Sequence, residues 1–272
     1  MRILSIGNSF SVDCQRYVSD IAEADNVSVE LGNLYIGGCS LEQHCTNIES
    51  AALCYEYFKN NVSMGSASIQ TGLKDNDWDI ITLQQASHFS GIPDTYYPYI
   101  ETLASFVRQQ CPNAKLYINE TWAYEYNSTH SAFPNYQSDR QIMHERLFSA
   151  YSIAREKIAS GFIPVGEAVR IARENVEFRP EDGGLPLTRD GFHLSYIPGR
   201  YLAAATWYET LTGNSILNNG FIPSAVAYAG TDRATGKPIY EPIPGTAATS
   251  EQLSLLKAAC HKACTDFAVR CV

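Results

Sequence analysis

Two short segments carry residue types that, if folding brought them together, could break an ester. Gly7-Asn8-Ser9-Phe10-Ser11 places hydroxyls directly after an apolar run, and Asp190-Gly191-Phe192-His193 sets a carboxylate three residues ahead of an imidazole. At that spacing a turn or helix brings the Asp190 and His193 side chains within reach of each other, and Gly191 gives the backbone freedom to turn. A carboxylate beside an imidazole fixes its tautomer and leaves the second ring nitrogen free to take a proton from a serine, as a hydrolytic triad requires. A serine opening a helix also sits among backbone N–H groups that lack intrahelical partners and can meet a developing negative charge. A helix starting just after His193 would hold the ring neutral. Each segment also has a plainer reading. Ser9 or Ser11 can serve as a helix cap, and Asp190 with His193 can be an ordinary surface hydrogen bond.

For the two segments to meet, the intervening chain must carry them to one edge of a common scaffold. Apolar runs and turn signals predict strands over 2–6, 27–36, 78–83, 115–119 and 162–165. Helical spacing predicts helices over 12–24, 41–58, 96–110, 138–159, 195–211 and 250–269. Strands alternating with helices call for a parallel sheet with helices on both faces. The expected class is α/β: a single three-layer α/β/α domain with a doubly wound, flavodoxin-like sheet of about five parallel strands. One domain over 1–272 is the economical organisation, with 213–272 as a C-terminal loop and helix extension and a small hairpin within 213–245. Ligands of such sheets collect at the carboxyl ends of the strands, which directs attention to residues 7–11, 36–40, 84–91 and 119–124.

Taken in order, Gly-Asn-Ser-Phe-Ser at 7–11, Gly-Gly-Cys-Ser-Leu at 37–41, Thr-Leu-Gln-Gln at 82–85, Thr-Trp-Ala-Tyr at 121–124 and Asp-Gly-Phe-His-Leu-Ser at 190–195 resemble the blocks of the SGNH (GDSL-type) hydrolase superfamily. The wording is similar to that of a bacterial subfamily of undetermined function, over roughly residues 1–212. The resemblance implies that Ser9 is the nucleophile, His193 the general base and then acid, and Asp190 its orienting carboxylate. It also implies an oxyanion hole built from the N–H groups of Ser9 and Gly38, where a side chain would obstruct the acyl oxygen. Two positions depart from the superfamily pattern. Asn8 stands where Asp is usual, and the third block offers Gln84 and Gln85 in place of Asn; alignment assigns the oxyanion amide to Gln85 and leaves Gln84 to backbone groups at the strand end. Asn8, Gln84, His88, Trp122 and Tyr124 are candidate substrate contacts, the two aromatics as stacking platforms or as simple packing, with Ser87 and Ser90 on the same loop as His88.

The function so implied is a serine esterase acting on short acyl, above all acetyl, esters, with carbohydrates as the expected carriers and with no cofactor and no metal. A catalytically weak or inactive carbohydrate-binding protein on the same fold is the alternative. A metal-dependent phosphoesterase using His88, Asp190 and His193 is a third reading, although ligand clusters of the needed kind are missing from the sequence. The partner expected is a small-molecule or glycan ester. Lys and Arg number 20 against 29 Asp and Glu, a net charge of −9, which repels nucleic acid and anionic lipid surfaces. No run approaches the roughly 18 apolar residues of a membrane span, and residues 1–20 are too polar for a signal peptide. A cytoplasmic location is favoured for the chain as it stands, an exported one if a leader has been removed. The eight cysteines are too sparse for a disulfide scaffold, and Cys260, Cys264 and Cys271 share a helical stripe as small core hydrophobes. His44, His130, His144 and His261 fall on predicted helix or loop surface, where solvated or core-satisfied imidazoles are the rule.

Overall fold

The computed structural model describes residues 1–224, 226–231, 238–242 and 247–270. The chain opens with β1 (Arg2–Gly7), α1 (Ser9–Gln15), α2 (Val18–Ala24), β2 (Glu30–Tyr35), α3 (Leu41–Ser50), β3 (Tyr55–Lys59), β4 (Val62–Ala67), α4 (Ile69–Lys74) and β5 (Ile80–Leu83). It continues through α5 (Tyr99–Gln110), β6 (Lys115–Asn119), α6 (Arg140–Lys157), β7 (Gly161–Ile163), α7 (Val165–Ala172), α8 (Pro198–Thr212), β8 (Val226–Thr231), β9 (Pro238–Pro242) and α9 (Ser250–Arg270).

One seven-stranded sheet runs β4-β3-β2-β1-β5-β6-β7. Its parallel part, β2-β1-β5-β6-β7, is the doubly wound order expected of the five apolar runs. Strand β1 is buried almost throughout, as a central parallel strand covered on both faces must be. The helices α1, α2, α7, α8 and α9 pack as one group and α3, α4 and α5 as another, with α6 touching α7. Right-handed crossovers that wind outward from β1 in opposite directions place their helices on opposite faces.

The edge of the sheet departs from the expectation. The helix predicted over 41–58 stops at Ser50, where Ala51 takes a left-handed conformation (φ 48°), and the chain turns into the antiparallel hairpin β3–β4 beside β2. The turn is Asn60-Asn61, both at positive φ (46° and 64°), a geometry that matches the twist of paired strands. The helix predicted over 12–24 is two helices, and α4 and α7 lie in stretches where no helix was expected. The C-terminal segment does contain the small hairpin, β8–β9, and α9 packs on α7 and α8. Cys260 is buried and Cys264 half-buried as part of that packing; Cys271 lies outside the described residues. Among the described residues, no helix is long and apolar enough to cross a membrane.

Candidate active site

Strands β1, β2, β5 and β6 point their carboxyl ends at one edge, and a cavity of about 370 Å³ opens there, within the size range of small-ligand sites. A larger hollow of about 480 Å³ lies at the other end of β1 and β5, around Arg2 and Asp79, away from Ser9 and His193, which line the first.

Ser9 is the first residue of α1, and Asn8 caps the helix by accepting from Phe10 N at 3.1 Å. His193 arrives on the loop from Thr188 to Leu194, closed by a bridge between those two residues. Gly191 turns that loop at φ +89°, a conformation costly for residues with a Cβ. Asp190 Oδ1 accepts from the backbone N–H of Phe192 (3.1 Å) and His193 (2.7 Å), while Oδ2 stands 2.7 Å from His193 Nδ1. Burial alone would raise the Asp190 carboxyl, but hydrogen bonds from the His193 ring and these amides hold it below its ordinary value. An ionised Asp190 only accepts, so the proton sits on His193 Nδ1 and the Nε2 lone pair faces Ser9 Oγ at 2.8 Å. The three residues singled out from two distant segments therefore stand in one hydrogen-bonded line.

Helix α8 begins at Pro198, not just after His193 as expected. The loop is instead tied to α1 by Asp13, one helical turn after Ser9 and buried to 1% exposure. Asp13 accepts from Arg189 Nη1 through both oxygens (3.0 Å), from Arg200 Nε (2.8 Å) and from Leu194 N (2.9 Å). A carboxylate accepting four hydrogen bonds from three residues joins the serine's helix to the histidine's loop. Its sequence signal was its place one turn beyond Ser9, on the same helical face.

The remaining candidates divide. Gly38 lines the cavity at φ +64°, and an added Cβ would meet nothing within 4 Å; left-handed backbone, rather than crowding, requires glycine there. Among the described residues neither the Ser9 nor the Gly38 N–H has a hydrogen-bond acceptor. Gln85 does not reach the cavity: its Nε2 donates to Thr95 O (2.9 Å) and Oγ1 (3.2 Å), and its Oε1 accepts from Leu41 N (3.0 Å) and Ala86 N (2.8 Å). Fully buried and with every amide group engaged, it braces the start of α3 and is not an oxyanion donor. Gln84 is likewise occupied, donating to Asn8 Oδ1 (2.8 Å) and accepting from Asn119 Nδ2 (2.9 Å).

Asn8 touches the cavity, but its amide caps α1 and donates to Cys39 O at 3.1 Å, which fixes the Gly37-Gly38 loop rather than a substrate. Trp122 is buried, stacked on Phe10 at 4.2 Å, with its indole N–H donating to Phe192 O at 2.7 Å. Tyr124 is buried too, its hydroxyl 2.9 Å from Ser87 Oγ. Both aromatics support the wall from behind and offer no face to a ligand. Ser90 is buried and bonded to backbone. His88 and Ser87 do line the cavity, as do Tyr35, Phe192 and Arg189, which drew no expectation.

The other histidines separate by surroundings. His44 is buried against Tyr55 (2.8 Å), and burial pushes its pKa down to about 3. His144 pairs with Glu167 and His261 with Glu209. His130, expected on the surface, instead lines the cavity. Among the described residues no group of three or more His, Cys, Asp or Glu is arranged to hold a metal ion.

No curated protein matches the chain. Among solved structures, a DUF4886 family protein from Bacteroides uniformis is 32% identical, with a TM-score of 0.83 over 97% of this chain and 94% of that one. A candidate SGNH hydrolase of Slackia heliotrinireducens is 22% identical, TM-score 0.52, covering 78% of this chain and 98% of that one. LAE5, an alpha/beta hydrolase from the metagenome of Lake Arreo, Spain, is 14% identical, TM-score 0.51, over 78% and 94%. These last two share the fold. The model of one family, described as "Domain of unknown function (DUF4886)", matches residues 2–237, and the chain belongs to that family.

Proposed function

We propose that this chain is a serine esterase that hydrolyses short acyl esters, acetyl above all, by a Ser9–His193–Asp190 triad. The observation that carries the reading is the unbroken line from Ser9 Oγ through both nitrogens of His193 to Asp190, at 2.8 and 2.7 Å, inside a cavity at the carboxyl edge of the sheet. In the reaction Ser9 Oγ attacks the ester carbonyl while His193 Nε2 takes its proton. The negative charge on the carbonyl oxygen meets the free N–H groups of Ser9 and Gly38. The tetrahedral species then expels the alcohol oxygen, which takes the proton from Nε2 and leaves an acyl group on Ser9. Water repeats the sequence, giving up its proton to Nε2, and releases the acid and the free serine. Asp190 stays ionised and holds the imidazolium.

The acetyl preference and a carbohydrate as the alcohol rest on the resemblance to SGNH hydrolases, whose fold the Slackia heliotrinireducens protein shares. The test is hydrolysis of p-nitrophenyl acetate by the wild type and by Ser9→Ala. The variant is expected to lose roughly 10⁴-fold or more in kcat, as when such a unit loses a member. Equal rates in the two proteins would overturn the reading.

A further inference from the structure

We propose that His88 and His130 form a subsite for the alcohol half of the ester, selecting an uncharged, polyhydroxylated leaving group; this rests on the esterase reading of Ser9 and His193. Both imidazoles line the cavity that holds the nucleophile and base. Their rings lie 6.4 Å apart with planes 19° from parallel. His130 is held in a defined state: Ala132 N donates to its Nδ1 at 3.1 Å, so the ring proton belongs on Nε2. Tyr124 (4.7 Å) and Phe192 (4.8 Å) enclose the ring. Burial first, then the neighbouring His193, lowers its pKa. A neutral ring presenting Nε2–H is a donor.

His88 complements it. Its ring packs on Phe89 at 4.1 Å, and among the described residues neither of its nitrogens has a hydrogen-bond partner, so one can donate and the other accept. Burial, and secondarily His130, lowers its pKa as well.

Position relative to the chemistry decides which half of the substrate meets them. The leaving oxygen must collect its proton from His193 Nε2, whereas the acyl oxygen turns toward the Ser9 and Gly38 amides. Phe192 lies against His193 at 4.3 Å and against His130 at 4.8 Å, so His130 stands one ring beyond the imidazole that hands the leaving oxygen its proton, and we assign it to the alcohol half on that ground. Two imidazoles at this separation can be bridged by neighbouring hydroxyls, each hydrogen bond reaching about 2.8 Å. Phe192, which also lines the cavity, adds apolar surface beside them. A charged alcohol finds no counterpart in two neutral rings, and Arg189, which also lines the cavity, is already opposed by Asp13.

The test compares kcat/KM for a monoacetate of methyl xyloside with that for cyclohexyl acetate, a ring of like size without hydroxyls. The wild type is expected to prefer the glycoside by roughly 10- to 100-fold, as for two hydrogen bonds that a competitor cannot make. His88→Phe and His130→Phe should each lower that ratio about tenfold, and His130→Gln, which keeps a donor, should restore part of it. An unchanged ratio in both Phe variants, with acetate hydrolysis persisting, overturns the subsite alone. Hydrolysis of neither acetate by the wild type removes the esterase reading and the subsite with it.

Discussion

Replacing Asp13 by Asn keeps the side chain's size while deleting its charge and turning one acceptor oxygen into an NH₂ donor. In the native protein both oxygens accept from Arg189 Nη1 at 3.0 Å, and Arg200 Nε (2.8 Å) and Leu194 N (2.9 Å) complete the set. At least one donor must then face another donor, and two guanidinium groups lose a buried counter-ion. Breaking one side of a buried pair costs about 3–5 kcal/mol. The Arg189 and Arg200 side chains retain 25% and 14% exposure, so solvent recovers part of this and about 2–3 kcal/mol is the expected loss. Because Leu194 follows His193 directly, loosening this joint moves the base relative to Ser9, and a displacement near 1 Å costs about 10²-fold in rate. Urea unfolding and steady-state kinetics on p-nitrophenyl acetate read both effects: kcat should fall 10- to 100-fold with KM within threefold. A variant as stable and as fast as wild type refutes the joint; lost stability with unchanged kcat refutes its part in positioning His193.

Three further outcomes are expected. Gln85→Ala should lower stability by about 1–3 kcal/mol, since buried N–H and C=O groups lose partners, with kcat within tenfold; a 10³-fold loss at unchanged stability would restore Gln85 to the oxyanion hole. Gly38→Ala should lose about 1–2 kcal/mol because φ is +64° and at least tenfold in kcat; an unchanged rate would exclude that amide from the chemistry. Glu120 is fully buried with an unpartnered Oε1, and burial pushes its carboxyl up to about 8. In the unfolded chain it ionises near its ordinary value of about 4.3, so stability should fall as pH rises between those values. Glu120→Gln should flatten that part of the melting profile, and superimposable wild-type and variant profiles from pH 5 to 8 would refute the assignment.

The parallel sheet was legible because each of its strands is a short apolar run bounded by glycine or polar residues, and alternation with helices leaves few topologies. The β3–β4 hairpin was not, because Leu41–Ser50 is helical and its spacing extends by chance into Tyr55, Tyr57 and Phe58. The turn that joins the hairpin's two strands is Asn-Asn, a weaker hairpin signal than Asn-Gly. Ser9, Asp190 and His193 could be singled out because residue type and local spacing mark them, and the fold brings the three into one hydrogen-bonded line. The directions of Gln85, Trp122 and Tyr124 could not, because at a strand end tertiary packing decides whether a side chain enters the cavity or braces its wall. His130 lies in a loop with no periodicity, and only the fold carries it to Phe192 and the cavity.

The most direct measurement is intact-mass and peptide mapping after treatment with a fluorophosphonate, which reacts at a serine activated by a neighbouring base. A single adduct on Ser9 is expected in the wild type, and none in His193→Ala under the same conditions. An unlabelled wild type, or labelling of Ser9 that persists undiminished without His193, would contradict the activation of Ser9 by that imidazole.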